Sequence, residues 1–301
     1  MKRRSQMKGL GPVVLTVAAL AASAAVLFGQ WPKYPSGVPK GSDGKYDLTA
    51  ATPKTAKGVT DFTGTWNFKG GPPVGGAGKG KDKDGKGKDG APPPPPAPPA
   101  DPNAPPLGAF FNIGAAFKDG LPFTPWAKEL RAKRTADGNK DNPDAHCLPL
   151  GLTQLHMHPQ PRKIIQTDRE IVVLYEANAN MREIYLDGRP LAPKDADPWW
   201  YGYSVGHFEG DTLVIETTGF RDDVWLDVEG SPLTTTGKMV ERWRRPTFGT
   251  MTIDTTISDP KAYTEPFTVR FNHRLAVDED LIEFVCEERD AVHYVDKDGK
   301  R

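Results

Sequence analysis

The chain has 301 residues, with 39 Lys+Arg against 39 Asp+Glu and a hydrophobic fraction of 37%. Four of the basic residues lie within the first thirty, so the remainder carries 35 basic and 39 acidic residues, a net charge of −4. Sequence-independent binding of nucleic acid rests on a basic surplus, and this composition excludes that class of partner from expectation.

Lys2, Arg3, Arg4 and Lys8 precede an uncharged, mostly apolar run over 11–29, and Ala22-Ser23-Ala24 supplies a small-residue cleavage pattern. This is the layout of an export signal over residues 1–30, and it places the mature protein in the periplasm or outside the cell. The run approaches the length of a membrane span, so an uncleaved anchor is the alternative, and it would be the chain's one contact with a membrane. No cysteine follows it, which argues against a lipid anchor. Residues 31–60, rich in Lys, Pro, Gly and Thr, read as a flexible tail, and 61–70, containing DFTGTWNF, as the first strand of a β domain. A linker follows over 71–106: a Lys/Asp/Gly segment, then APPPPPAPPADPNAPP, which favours an extended polyproline rod. Neither part has apolar residues to bury, so the reading is a disordered spacer.

Globular composition starts near Leu107 and defines a β domain over 107–295, with a short tail at 296–301. FTPWAKELRAKR (123–134) predicts one short helix, with Thr124 as N-cap, Pro125 at the first helical position and a stop before Asp137-Gly138. DNPDAHCLPLG (141–151) reads as loop. Strands are then expected over 164–167, 170–176, 182–186, 203–208, 212–217, 239–245, 250–257, 267–275 and 281–287, alternating apolar and polar residues. No long helix intervenes to carry a parallel crossover, so the pattern is an antiparallel meander with one wet and one dry face. A sheet of about nine strands avoids open edges by closing into a barrel or folding into a barrel-like sandwich.

The candidate sites follow from that sheet. SVGHFEGDTLVIETTGF (204–220) holds Ser204, His207 and Asp211, but Ser204 and His207 are three apart on a strand and face opposite ways, which rules out a nucleophile triad. Glu209-Gly210-Asp211 is instead a hairpin turn. No catalytic residue is assigned, and any cofactor is left open. His207 shares a face with Tyr203 and Val205, and His273 with Phe267 and Phe271, so both imidazoles are expected to look into the interior. There they would be satisfied by neighbouring groups or would hold a ligand's polar end. His156 and His158, two apart, are a candidate metal pair if strand-borne, with His146, Asp144 or an acid from another strand as a third ligand, or else an exposed polar edge just before Pro159. Trp66, Trp199, Trp200 and Tyr203 suit core packing or a flat apolar or sugar-like ligand. Arg242 shares a face with Arg244, either as an anion-recognising pair or as a surface stripe, and Asp222-Asp223 reads as solvated surface. Cys147 and Cys286, the only cysteines, are expected to pair in an oxidising compartment, with two separate buried thiols as the alternative.

Two resemblances bear on the fold. Gly64-Thr65-Trp66 resembles the Gly-x-Trp signature of lipocalin-like barrels, which implies an indole plugging a closed end. CLPLG, IIQTDREIVVLYE, REIYLDGRP, SVGHFEGDTLVIETTGF, WLDVEGSPLT and ERWRR together resemble a family of exported bacterial β-rich proteins of no assigned activity, across roughly 120–290. The implied protein is an all-β, mainly antiparallel, lipocalin-like barrel that binds a small apolar or glycan-like molecule without catalysis. The alternatives are a metal-dependent enzyme using His156 and His158, and a structural envelope protein spaced from its anchor by the linker.

Overall fold

The computed structural model describes residues 37–69, 104–277, 279–284 and 286. The expected export signal, most of the linker and the 296–301 tail lie outside the described residues. The eleven strands are β1 (Gly64–Phe68), β2 (Arg162–Gln166), β3 (Glu170–Tyr175), β4 (Met181–Tyr185), β5 (Tyr203–Glu209), β6 (Thr212–Thr218), β7 (Val224–Trp225), β8 (Pro232–Leu233), β9 (Lys238–Thr247), β10 (Thr250–Ser258) and β11 (Phe267–Ala276). Nine of them close into a barrel in the order β1, β11, β10, β9, β6, β5, β4, β3, β2, and β2 pairs back onto β1. β7 and β8 form a separate two-stranded sheet. The all-β, mainly antiparallel barrel expected from alternation is therefore the observed architecture.

Period-two burial decides which face turns in. On β9, Met239, Glu241, Trp243 and Arg245 are buried, and on β11 Phe267, Val269, Phe271, His273 and Leu275 are. Register carries this face around the barrel, with Ile253 beside both Trp243 and Phe271, and Leu213 beside Trp243. At one end Trp66 is fully buried, its indole donating to the Phe62 carbonyl at 3.0 Å, with the Arg245 guanidinium 4.8 Å above the ring. Phe62 closes the same end edge-on to Trp243 at 5.9 Å. The plugging indole is thus present.

Helix α1 (Pro125–Ala136) begins where the sequence indicates. The Thr124 side chain accepts from the Ala127 amide, and Asp137 caps the other end. The β5–β6 turn is equally legible: Glu209 pairs with Thr212, and Gly210 takes a φ of +59°.

Four expectations are corrected. Residues 37–60 are no free tail: the Phe248 amide donates to the Ala50 carbonyl, the Gly249 amide to the Leu48 carbonyl, and Val38 and Thr60 are buried. Backbone hydrogen bonding, invisible to composition, holds this segment against the β9–β10 turn. β4 and β5 pair in parallel, because residues 186–202 are long enough to carry the chain back across the barrel before β5 starts. The described part of 281–287 forms no strand, since β11 already pairs with β1 and leaves no edge to extend. Finally, the segment with His156 and His158 is not strand. Helix α2 (Leu152–Met157) is buried along its whole length, and His158 caps it.

α2 fills the barrel end opposite Trp66. Its His156 ring stacks on Phe271 at 5.3 Å and meets Trp243 edge-on at 6.3 Å. The interior that alternation predicts is dry, and side chains occupy it.

Cys147 and Cys286 form the expected disulfide, 139 residues apart in sequence. It tethers the segment after β11, where Asn67 donates to Glu279, Lys163 pairs with Asp280, and the Ile282 amide donates to Glu176. A loop of this length implies about 5 kcal/mol of stabilisation in the chain-entropy model. The Cys147→Ser, Cys286→Ser double variant is expected to melt well below the oxidised protein, and reductant to lower the melting temperature of the parent alone. Equal melting temperatures would show that the crosslink does not stabilise the fold.

Candidate functional site

The barrel interior contains a charged cluster. Glu241, 0% exposed, accepts from His156 Nε2 at 2.7 Å, from Trp243 Nε1 at 3.2 Å and from Arg182 Nη2. Arg182, 2% exposed, donates through Nε to Ser204 Oγ at 3.2 Å and through Nη2 to Thr217 Oγ1 at 3.1 Å. Arg162 donates to His156 Nδ1 at 3.2 Å and to the His156 carbonyl at 3.0 Å. A guanidinium only donates, so Nδ1 must accept, and the His156 proton sits on Nε2, directed at Glu241. His273 Nε2 donates to the same His156 carbonyl at 3.0 Å.

Burial and charge set the protonation states. Burial first, then the nearby Arg162 and Arg182, lower the pKa of His156, although Glu241 opposes the shift. Burial and Arg162 place His273 well below the ordinary value. Burial also brings His158 down to about 4. Burial opposes ionisation of Glu241, but Arg182 and His156 overcome it and hold the carboxyl below the usual carboxylate range. Arg162 is lowered to about 10 by burial and stays charged at neutral pH. Among the described residues it meets no carboxylate, so two guanidinium charges face one carboxylate inside the barrel.

A cleft of about 250 Å³ opens onto this cluster where β4 and β5 part. Only Ile184–Ser204 and Tyr185–Val205 are in register, so the strands separate toward Met181 and Tyr201. Arg182 and Ser204, inward residues of the barrel, thereby become part of the cleft lining. The walls come from DPWWYGY: Trp199 packs on Tyr203 at 5.4 Å, Tyr203 on Tyr185 at 5.2 Å, and Trp200 lies under Arg221 at 4.5 Å. The Trp199 amide donates to the Gly219 carbonyl at 2.9 Å, which fixes the segment against the end of β6. Gly202 takes a φ of +64°, and a Cβ there would fall 2.6 Å from Thr217 Cγ2 and 2.8 Å from the Thr218 carbonyl oxygen. Trp200 also borders a second hollow of about 300 Å³ with Trp225 and Arg134.

Of the aromatic ligand residues expected from sequence, the structure brings Trp199, Trp200 and Tyr203 together. Trp66 and His273 are core groups at other points of the barrel. His207 does not face the interior: it is exposed and pairs with Glu209 at 3.4 Å, because Ser204 takes the inward position of β5. Arg242 pairs with Glu209 at 2.7 Å and Arg244 with Asp254 at 2.7 Å, carboxylates that also serve His207 and Arg270, so both outward arginines are engaged in surface ion pairs. The three histidines considered as metal ligands are dispersed. His156 points at Glu241, His158 lies edge-on to Phe110 at 5.3 Å, and His146 is exposed with Nε2 at the Lys140 carbonyl. No group of three or more His, Cys, Asp or Glu among the described residues is arranged to hold a metal ion. Sequence reasoning passed over Arg182, Glu241, Tyr201 and Tyr185. The inward positions of Arg182 and Glu241 in otherwise apolar alternation were the available signal. No helix of the described residues is long and apolar enough to cross a membrane. Comparison with protein-family models, curated proteins and solved structures gives no match.

Two outcomes follow from the cluster. Glu241→Gln leaves Arg182 without its counter-charge and should cost about 3–5 kcal/mol in urea unfolding. A loss below about 1 kcal/mol would show that the cluster is not a structural centre. The second is acid sensitivity. Unfolded histidines titrate near 6.5 and folded His156, His158 and His273 lower, so between those values the unfolded state binds more protons and stability falls as pH falls. The urea midpoint is expected to drop steadily from about pH 7 to about pH 5. A level midpoint across that window would contradict the buried neutral imidazoles.

Proposed function

We propose that this is an exported, non-catalytic binding protein whose ligand is a small ring-shaped molecule, apolar or glycan-like, held in the cleft between β4 and β5. The observation that carries this reading is the wall of Trp199, Trp200, Tyr203 and Tyr185 around a cavity of about 250 Å³, with Arg182 at its inner end. Aromatic faces give flat apolar and sugar rings a large contact area, and a few polar groups beneath them fix orientation. Packing against Gly219, Arg221 and Tyr185 holds the wall in place before any ligand arrives, which lowers the ordering cost of binding. Export is supported by the basic and apolar N-terminal pattern and by the Cys147–Cys286 bond, which suits an oxidising compartment. Both fit the resemblance to exported bacterial β-rich proteins.

The test is native mass spectrometry of protein isolated from the envelope fraction of an expressing bacterium, with the Trp199→Ala, Trp200→Ala double variant beside it. A co-purifying organic ligand should accompany the parent and be depleted at least tenfold in the variant, given about 1–3 kcal/mol for each stacked ring. A variant that keeps the ligand at parental occupancy would place the site elsewhere. A parent that is empty and binds none of a panel of aromatic and sugar rings would end the binding reading.

A further inference from the structure

The binding reading leaves the ligand's polar end undefined, and the charge balance beneath the cleft supplies it. We propose that the ligand is a ring-bearing carboxylic acid, its ring against the aromatic wall that Trp199 and Tyr203 form together and its carboxylate accepting from Arg182 Nη1 and the Tyr201 hydroxyl. The proposal rests on the binding reading and specifies its ligand class.

Three observations converge on it. Arg182 spends Nε and Nη2 on Ser204, Thr217 and Glu241, while Nη1 is buried with no partner within ordinary hydrogen-bond distance among the described residues; the Tyr175 hydroxyl, likewise buried and unpartnered at that distance, interacts with the same guanidinium. The Tyr201 hydroxyl is also buried and unpartnered, and Tyr201 lines the cleft beside Arg182. Buried donors are nearly always satisfied in proteins, so two such groups in one lining mark a place built for an acceptor. The second observation is charge. Arg162 and Arg182 face the single carboxylate of Glu241, and the surrounding imidazoles are neutral, so the cluster carries one positive charge in excess. An anion completes that balance, whereas a cation would increase the imbalance.

The third is geometry. One guanidinium N–H and one hydroxyl form a two-pronged donor set, which matches the two oxygens of a carboxylate better than a phosphate with more oxygens to satisfy. Arg182 and Tyr201 both line the cleft, and the β4–β5 seam beside them is held by two register pairs only, so the carboxylate would enter on the side of Met181 and Tyr201. Glu183, the one carboxylate in the lining, accepts from the Tyr185 hydroxyl at 3.2 Å and is exposed, so it does not compensate the buried charge.

The test is titration of the purified protein, followed by tryptophan fluorescence, with benzoate against benzamide and glucuronate against glucose. In the favoured pair the acid should bind about tenfold tighter than its neutral counterpart, the value of one charge-assisted hydrogen bond. A preference for benzoate identifies an aromatic acid, and one for glucuronate a sugar acid. Phenyl phosphate should bind more weakly than the acid. Tyr201→Phe keeps the ring and strands no charge; it should weaken the acid several-fold more than its neutral counterpart and so reduce the acid's advantage. Acids and neutral rings that bind equally, tighter phenyl phosphate, or a Tyr201→Phe variant with undiminished preference would overturn the carboxylate and leave the binding reading standing. If none of the compounds binds at millimolar concentration, both readings fall.

Discussion

The Glu241 carboxylate is the group on which the barrel interior depends. It sits on β9 among Met239, Trp243 and Arg245, where alternation would ordinarily place an aliphatic side chain, and it is fully buried. Isolated there, it would be expelled or protonated, because an unpaired charge away from water is among the most costly features a fold can contain. Arg182 from β4, His156 from α2 and Trp243 from its own strand all donate to it. Three elements distant in sequence are thereby fixed to one point, and their mutual geometry becomes specific in a way that an apolar core of similar volume would not require.

From that point the organisation of the molecule follows. α2 brings His156 to Glu241, and its Leu152, Leu155 and Met157 side chains are buried in the apolar core. Ligand space is displaced to the seam of β4 and β5, where Arg182 is shared between core and cleft. The same side chain thus serves the interior through Nε and Nη2 and belongs to the cleft lining. This is why the proposed polar end of the ligand and the stability of the fold meet in one residue.

Much of this architecture was legible in the sequence. Alternation over β10 and β11 located those strands and their inward faces, because the side-chain period on a strand is two and burial follows it. The α1 cap and the β5–β6 turn were readable because Thr124-Pro125 and Glu209-Gly210-Asp211 are local signals with local causes. The α2 segment was not. LTQLHM is too short to display helical periodicity, and it forms where tertiary burial, rather than propensity, decides the outcome. The parallel pairing of β4 with β5 was hidden for a related reason, since nothing in residues 186–202 states which barrel edge the chain will reach. For the site, the Trp199-Trp200-Tyr201-Gly202-Tyr203 run announced an aromatic wall. Its partner Arg182 was concealed inside an ordinary strand, and His207 was misplaced because the inward phase of β5 is set by Ser204.

The two-pair junction of β4 and β5 gives the barrel an unequal circumference. The β4–β5 and β1–β2 junctions are the shortest, with two and three register pairs, and β4–β5 is the shorter and the parallel one, which makes it the weakest-held stave of the hoop. A molecule lodged against that stave would bridge it from outside and close the circle more firmly than the polypeptide does alone.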